Sequence, residues 1–214
     1  MRNRRRNFTL VELLVVIGII AILAGMLMAG IMYAPAKAQK AKAQAEVTTL
    51  VNAIKQYESA YGVLPIPTGA LSSGDGTLAS DKYKLMIHIL QADDEGLSSS
   101  EKDIVKKLNK RSTKFLDIQG NDVGVFTDPW GEDYNVVFDA NYNGKIEMSN
   151  PIPGLNVPAS SSTFTYRFSV IVWSKGNDRK CESGYDKRAD KKNEDNVYSF
   201  PTTWSSDTGH NISK

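Results

Sequence analysis

The sequence predicts an α+β protein: a long N-terminal helix, membrane-spanning in its first half, packed through its second half on a small antiparallel β-sheet head. Three observations carry this expectation. Residues Asn7 to Met32 form an apolar run behind a basic leader, and from Leu13 to Met32 no residue is charged or strongly polar. Val47, Leu50, Val51, Ile54, Tyr57 and Tyr61 then recur at three- and four-residue spacing, a helical stripe suited to covering a sheet. Beyond Phe126, two stretches alternate apolar and polar residues as strands do.

About twenty apolar residues cross the hydrocarbon core of a bilayer, so the first run reads as a membrane span. Arg2, Arg4, Arg5 and Arg6 precede it, and positive flanking charge holds that end in the cytoplasm with the head outside. Glu12 is the exception within the run, because a carboxylate left unpaired in lipid is costly. Ala21, Gly25 and Ala29 form a small-residue ladder that lets another helix approach. Pro35 is expected to kink or loosen the helix near the outer membrane surface. Lys37 to Glu46, KAQKAKAQAE, continues it with strong helix formers beside the lipid headgroups, and Gly62 and Pro65 stop it.

Pro65 to Ser80 reads as an exposed, turn-rich connector. Two short helices follow, Asp81 to Ala92 and Glu101 to Lys110, the second introduced by a Ser98/Glu101 capping box. His88, within the first, reads as a surface or half-buried helix residue rather than a ligand. Asp128, Pro129 and Gly131 make a tight turn, Trp130 supplies an apolar anchor, and Tyr134, Val136 and Phe138 begin the sheet. Thr163 to Ser174 is expected as one long strand with Phe164, Tyr166, Phe168, Val170 and Val172 on one face, and Asn196 to Phe200 as the last strand.

Composition restricts function. A chain of 214 residues with one membrane helix leaves room for one ordinary globular domain. Counted without the four arginines that precede the apolar run, 26 cationic against 24 anionic residues become 22 against 24, a formal −2, so no nucleic-acid footprint remains. The single cysteine, Cys181, allows no internal disulfide. Neither a Gly-x-Ser-x-Gly elbow, a His-Glu-x-x-His pair, a phosphate loop nor a Rossmann glycine pattern occurs. No catalytic residue is assigned.

FTLVELLVVIGIIAILAG, with a basic leader before it and a glutamate fifth from the phenylalanine, closely resembles the N-terminus of type IV prepilins and type II secretion pseudopilins. The resemblance implies a pilin-like fold and cleavage between Asn7 and Phe8 by a prepilin peptidase, with methylation of the new Phe8 amine. It further implies pairing of Glu12 with the terminal amine of a neighbouring subunit. Asn7 stands where the family usually has glycine. Residues 1–7 would then be the leader, 8–35 the membrane and filament-core helix, and 36–214 the extracytoplasmic head, in the inner membrane first and in a periplasmic pseudopilus after assembly.

Two further stretches point the same way. DPWGEDYNVVF resembles the DPWG-x-x-Y segment of the major pseudopilin. WSKGND and EDNVYSF, which bound the stretch Ser174 to Phe200, resemble its C-terminal loop, where a calcium ion is held; Asp178 and Asp195 match the acidic places, with a basic insertion between them. A weaker alternative is the loop with Asp139, Asn141, Asn143 and Glu147, which follows the oxygen-ligand spacing of a calcium loop but has Asn150 at position twelve. That loop also reads as a solvated Asn-Gly hairpin turn. No cofactor is required beyond such an ion.

The expected partners are the peptidase, sister pseudopilins, an assembly ATPase and its inner-membrane platform protein. The alternatives are a type IV or competence pilin and, in a different class, a membrane-tethered ligand-binding module that never polymerises. A tethered hydrolase comes third.

Overall fold

A computed structural model of the chain describes residues 9–31, 34–71, 74–118, 123–150, 152–153, 155, 163–181, 195–200, 202–205 and 209–212. It contains two compact units, Met1–Gln39 and Lys40–Lys214.

The first unit holds helix α1, Leu10–Ile31. Its large apolar side chains from Leu10 to Met26 all face outward, from 78% exposure at Leu10 to 45% at Val16. No atom lies within 4 Å of a side-chain position at Gly18 or Gly25, and Ala21 is exposed; the side chain of Ala29 lies outside the described residues. The side chains of α1 are described only as far as Met26. Among the described residues no helix is long and apolar enough to cross a membrane. Helix α2, Ala34–Tyr61, begins in the same unit. Pro35 is its second residue, where the missing N–H breaks no helical bond; residues 32–33 lie outside the described residues.

In the second unit α2 meets a four-stranded antiparallel sheet of β1 (Gly76–Thr77), β2 (Asn135–Phe138), β5 (Val170–Ser174) and β6 (Val197–Tyr198), in that spatial order. Thr77 stands opposite Val137, Val136 opposite Val172, and Trp173 opposite Tyr198. The expected stripe on α2 packs as its spacing requires: Val47, Leu50, Ile54 and Tyr57 are wholly buried with Val136, Phe138, Val170, Val172 and Val197. Burial pushes the Tyr57 phenol up to about 12. Two hydrogen bonds pin the helix further, Tyr134 Oη to Glu46 at 2.8 Å and Gln44 Nε2 to the Tyr198 carbonyl at 3.0 Å.

The rear of the sheet is also covered. Val137, Ile171, Trp173 and Tyr198 form a second cluster with Ile146, Phe164 and Tyr166, which lie on the ribbon of β3 (Ile146–Met148) and β4 (Phe164–Tyr166). This corrects the expectation of one strand from Thr163 to Ser174. Phe168 N–H turns back onto the Tyr166 carbonyl at 3.0 Å, the chain leaves the ribbon, and β5 begins at Val170. Val170 and Val172 therefore face α2, whereas Phe164, Tyr166 and Phe168 join the rear cluster. The run VIVWS is apolar throughout because both of its faces are buried.

Helices α3 (Ser80–Gln91) and α4 (Ser99–Leu108) stand where the sequence puts them. The Ser98 capping box forms, with Glu101 accepting the Ser98 N–H at 3.0 Å and its hydroxyl at 2.5 Å. His88 is buried at 7% exposure, its Nδ1 lying 3.1 Å from the Asp93 carbonyl and its ring against Gly124, where a side chain would sit 1.9 Å from Nε2. The connector contributes edge strand β1 rather than a wholly free loop. Past β6, β7 (Thr202–Ser205) pairs antiparallel with β8 (Gly209–Ile212).

Candidate functional site

The scissile pair suggested by the sequence, Asn7 and Phe8, lies outside the described residues. Immediately after it, Thr9 and Glu12 close a capping box on α1. Glu12 Oε2 accepts the Thr9 N–H at 2.9 Å and its hydroxyl at 2.8 Å, while Thr9 Oγ1 accepts the Glu12 N–H at 3.3 Å. The signal is legible as Thr-x-x-Glu before an apolar run, the same pattern as Ser98 to Glu101, whereas the resemblance implies for Glu12 only a partner on another subunit. Within one chain the carboxylate already has a partner, and it stabilises the helix N-terminus through free N–H groups.

The second region joins the DPWG turn to the last strands. Asp128, 4% exposed, uses both carboxylate oxygens. Oδ1 accepts the N–H groups of Trp130 at 3.0 Å and Glu132 at 2.9 Å, which shapes the turn, and Oδ2 accepts the Ser174 hydroxyl at 2.5 Å. Ser174 Oγ in turn accepts the Gly176 N–H at 3.0 Å. Arg179 also donates to the Trp130 carbonyl. The turn is thus bonded twice to the start of the C-terminal loop. Its sequence signal was turn and packing alone; the long-range bond to Ser174 had none.

That loop brings Asp178 and Asp195 together. Asp195 Oδ2 accepts the Asp178 N–H at 3.0 Å, and Asp178 Oδ1 accepts the Lys180 N–H at 2.8 Å. Gly176 lets the two segments approach: its φ is +75°, and a side chain there would sit 2.5 Å from the Asp195 carbonyl oxygen. Asp195 Oδ1 is buried and has no hydrogen-bond partner among the described residues. Burial, and then the neighbouring Asp178 charge, push its carboxyl above the usual carboxylate range. A desolvated, unpaired carboxylate oxygen beside a second carboxylate fits a hard cation. Asp186, Asp190 and Glu194 lie outside the described residues, and among the described residues no three His, Cys, Asp or Glu side chains gather as a metal group. Cys181 is half-buried, and its thiol is pushed up by burial, away from reactivity.

The weaker candidate is self-satisfied. Asp139 accepts N–H groups from Asn143 at 3.1 Å and Gly144 at 2.8 Å, Asn141 accepts that of Asn143 at 3.0 Å, and Asn143 that of Lys145 at 3.0 Å. Glu147 pairs with Lys145 at 2.5 Å. Asp75 clamps the loop from outside, accepting from Ala140 N–H at 2.9 Å and Glu147 N–H at 2.7 Å. Nor does the Asn-Gly turn make a hairpin, because β2 pairs with β1 and β5, and β3 with β4.

With this geometry in place, comparison with known proteins adds one positive finding. The family described as the prokaryotic N-terminal methylation motif matches residues 2–28, which include Asn7, Phe8, Thr9 and Glu12. The match supports a prepilin-like protein and implies processing by a prepilin peptidase. The α+β head, with a helix of the N-terminal region packed on a small antiparallel sheet, is consistent with that class. No curated protein and no solved structure matches the chain.

Proposed function

We propose that this protein is a pseudopilin, a non-enzymatic subunit that polymerises through its N-terminal helix into a periplasmic pseudopilus serving type II protein secretion. The observation that carries the reading is α1. The matched methylation motif takes in most of this helix, which has apolar side chains on every face and a single charge, Glu12, in its first turn. So much exposed apolar surface requires a cover. A bilayer supplies it before assembly, and the α1 helices of sister subunits supply it afterwards, where Glu12 exchanges its Thr9 contacts for a neighbour's amine. The prepilin peptidase, an assembly ATPase and its platform protein are the partners.

The choice of a type II system rests on the DPWG turn and the C-terminal loop it is bonded to. Asp178 and Asp195 would hold a calcium ion there, which neutralises the pair and fastens the loop. Cysteine substitutions on α1, Ile17→Cys and Leu23→Cys, test polymerisation in a membrane. Oxidation should yield a ladder beyond dimers. A monomer alone would instead fit a tethered binding module.

A further inference from the structure

Around the last turn of α2 lies a surface to which the proposed function assigns no role. The segment Lys106 to Lys114, KKLNKRSTK, has five cations in nine residues and no acid. It is held as a fixed platform. Asn109, 2% exposed, donates to the carbonyls of Ile89 and Thr113, both at 2.8 Å, and its Oδ1 accepts the Thr113 N–H at 3.0 Å and the Tyr61 hydroxyl at 2.6 Å. Arg111 donates its N–H to the same hydroxyl at 3.1 Å and sets its guanidinium 5.6 Å above the Tyr61 ring. Lys106 and Lys114 are ion-paired to Asp94 and Asp117 at 3.3 and 3.4 Å. Lys107, Lys110 and Arg111 are exposed and form no ion pair among the described residues. Two residues past Tyr61 along the chain Val63 is 45% exposed, and Tyr142, 52% exposed, accepts the Leu64 N–H at 2.7 Å.

We propose that this surface docks an acidic polypeptide segment of a partner protein. Three exposed cations on one rigid segment, with an exposed tyrosine and valine on the segments bonded to Tyr61 and Leu64, match the composition of protein interfaces, in which Tyr and Arg carry much of the energy and charge steers the encounter. Single-stranded nucleic acid fits less well, because its bases need free aromatic faces. Tyr61 is already engaged by Arg111 and by Tyr57, 4.7 Å away, which leaves Tyr142 alone. The platform is fixed before binding, so docking costs little ordering entropy.

The test uses the full chain in detergent micelles and a fluorescent poly-glutamate peptide, with an oligothymidylate of matched charge as the rival probe. Poly-glutamate should bind saturably, more weakly as salt rises, and more tightly than the oligonucleotide. Lys107→Glu with Lys110→Glu should weaken it about tenfold or more, and Tyr142→Ala should weaken it as well, whereas Lys84→Glu, an exposed cation on α3, should leave it unchanged. Equal affinity in the doubly substituted chain, or tighter binding of the oligonucleotide, would overturn the proposal. Polymerisation does not enter this measurement, so its failure is separable from failure of the filament reading.

Discussion

Asp128 and Ser174, 46 residues apart in sequence, meet at 2.5 Å in a buried contact between the DPWG turn and the end of β5. Through Ser174 the turn reaches Gly176, the glycine that admits Asp195. The motif and the acidic loop are one construction.

Ser174→Ala should therefore destabilise the head by about 1–3 kcal/mol, the cost of leaving a buried carboxylate oxygen and a buried N–H without their partner. Denaturant unfolding of the full chain in detergent, followed by tryptophan fluorescence, measures it. Ser174→Thr, which keeps the hydroxyl, should recover part of the loss.

Asp195 makes the head sensitive to pH in a defined direction. Its carboxyl titrates above the ordinary range in the folded chain, so folding favours the protonated acid. The stability it contributes is complete below the unfolded-state value and is lost as pH rises through the folded one. In chelator, melting temperature should fall across that window, and Asp195→Asn should flatten the trend.

Calcium should reverse the sign of that penalty at neutral pH. An ion bound only to the folded form raises stability by mass action, so millimolar calcium should raise the melting temperature and magnesium should raise it much less. Asp178→Ala or Asp195→Ala should remove the gain, and Asp139→Ala should not. Equal melting curves in calcium and chelator would leave the loop a solvated turn.

For Glu12, two partners at different times lead to a divided phenotype. Glu12→Ala should leave membrane insertion intact, because the helix stays apolar, and should slow or abolish filament formation. Membrane fractionation and filament yield separate the two. A normal yield would rule out the intersubunit pair.

Processing is read directly by mass. Protein extracted from membranes should begin at Phe8 with a methylated amine. An intact Met1 terminus on assembled subunits would contradict the motif.

What could be read in advance follows from the range of the forces. The α2 stripe, the Ser98–Glu101 box and the alternation of Tyr134, Val136 and Phe138 are local patterns, and all three form as their spacing dictates. The turn at Phe168 escaped because β5 is buried on both faces, so its apolar run blends with the alternation of β4 and hides the change of sheet. Strand β1 is two residues long and exists only because Val137 and Phe138 offer it an edge. Asn109 makes four bonds, two within its own loop and one each to α2 and α3, and a single asparagine in a basic run gives no warning of that. In the candidate site, the acidic pair could be picked out by resemblance, whereas the unpaired Oδ1 of Asp195 became visible only with the loop folded.

The strand order also bears on how such a head is made. Reading across the main sheet, β1, β2, β5 and β6 succeed one another as they do along the chain. A polypeptide delivered N-terminus first can therefore lay each strand against one already in place, with no need to insert between two earlier ones. The apolar segment VIVWS, the piece most prone to aggregate if left alone, emerges after both α2 and β2 are available to receive it. Only β6 then remains to close the edge, so a chain stalled before Asn196 would present the last residues of that segment, Trp173 and Ser174, as an open, sticky border.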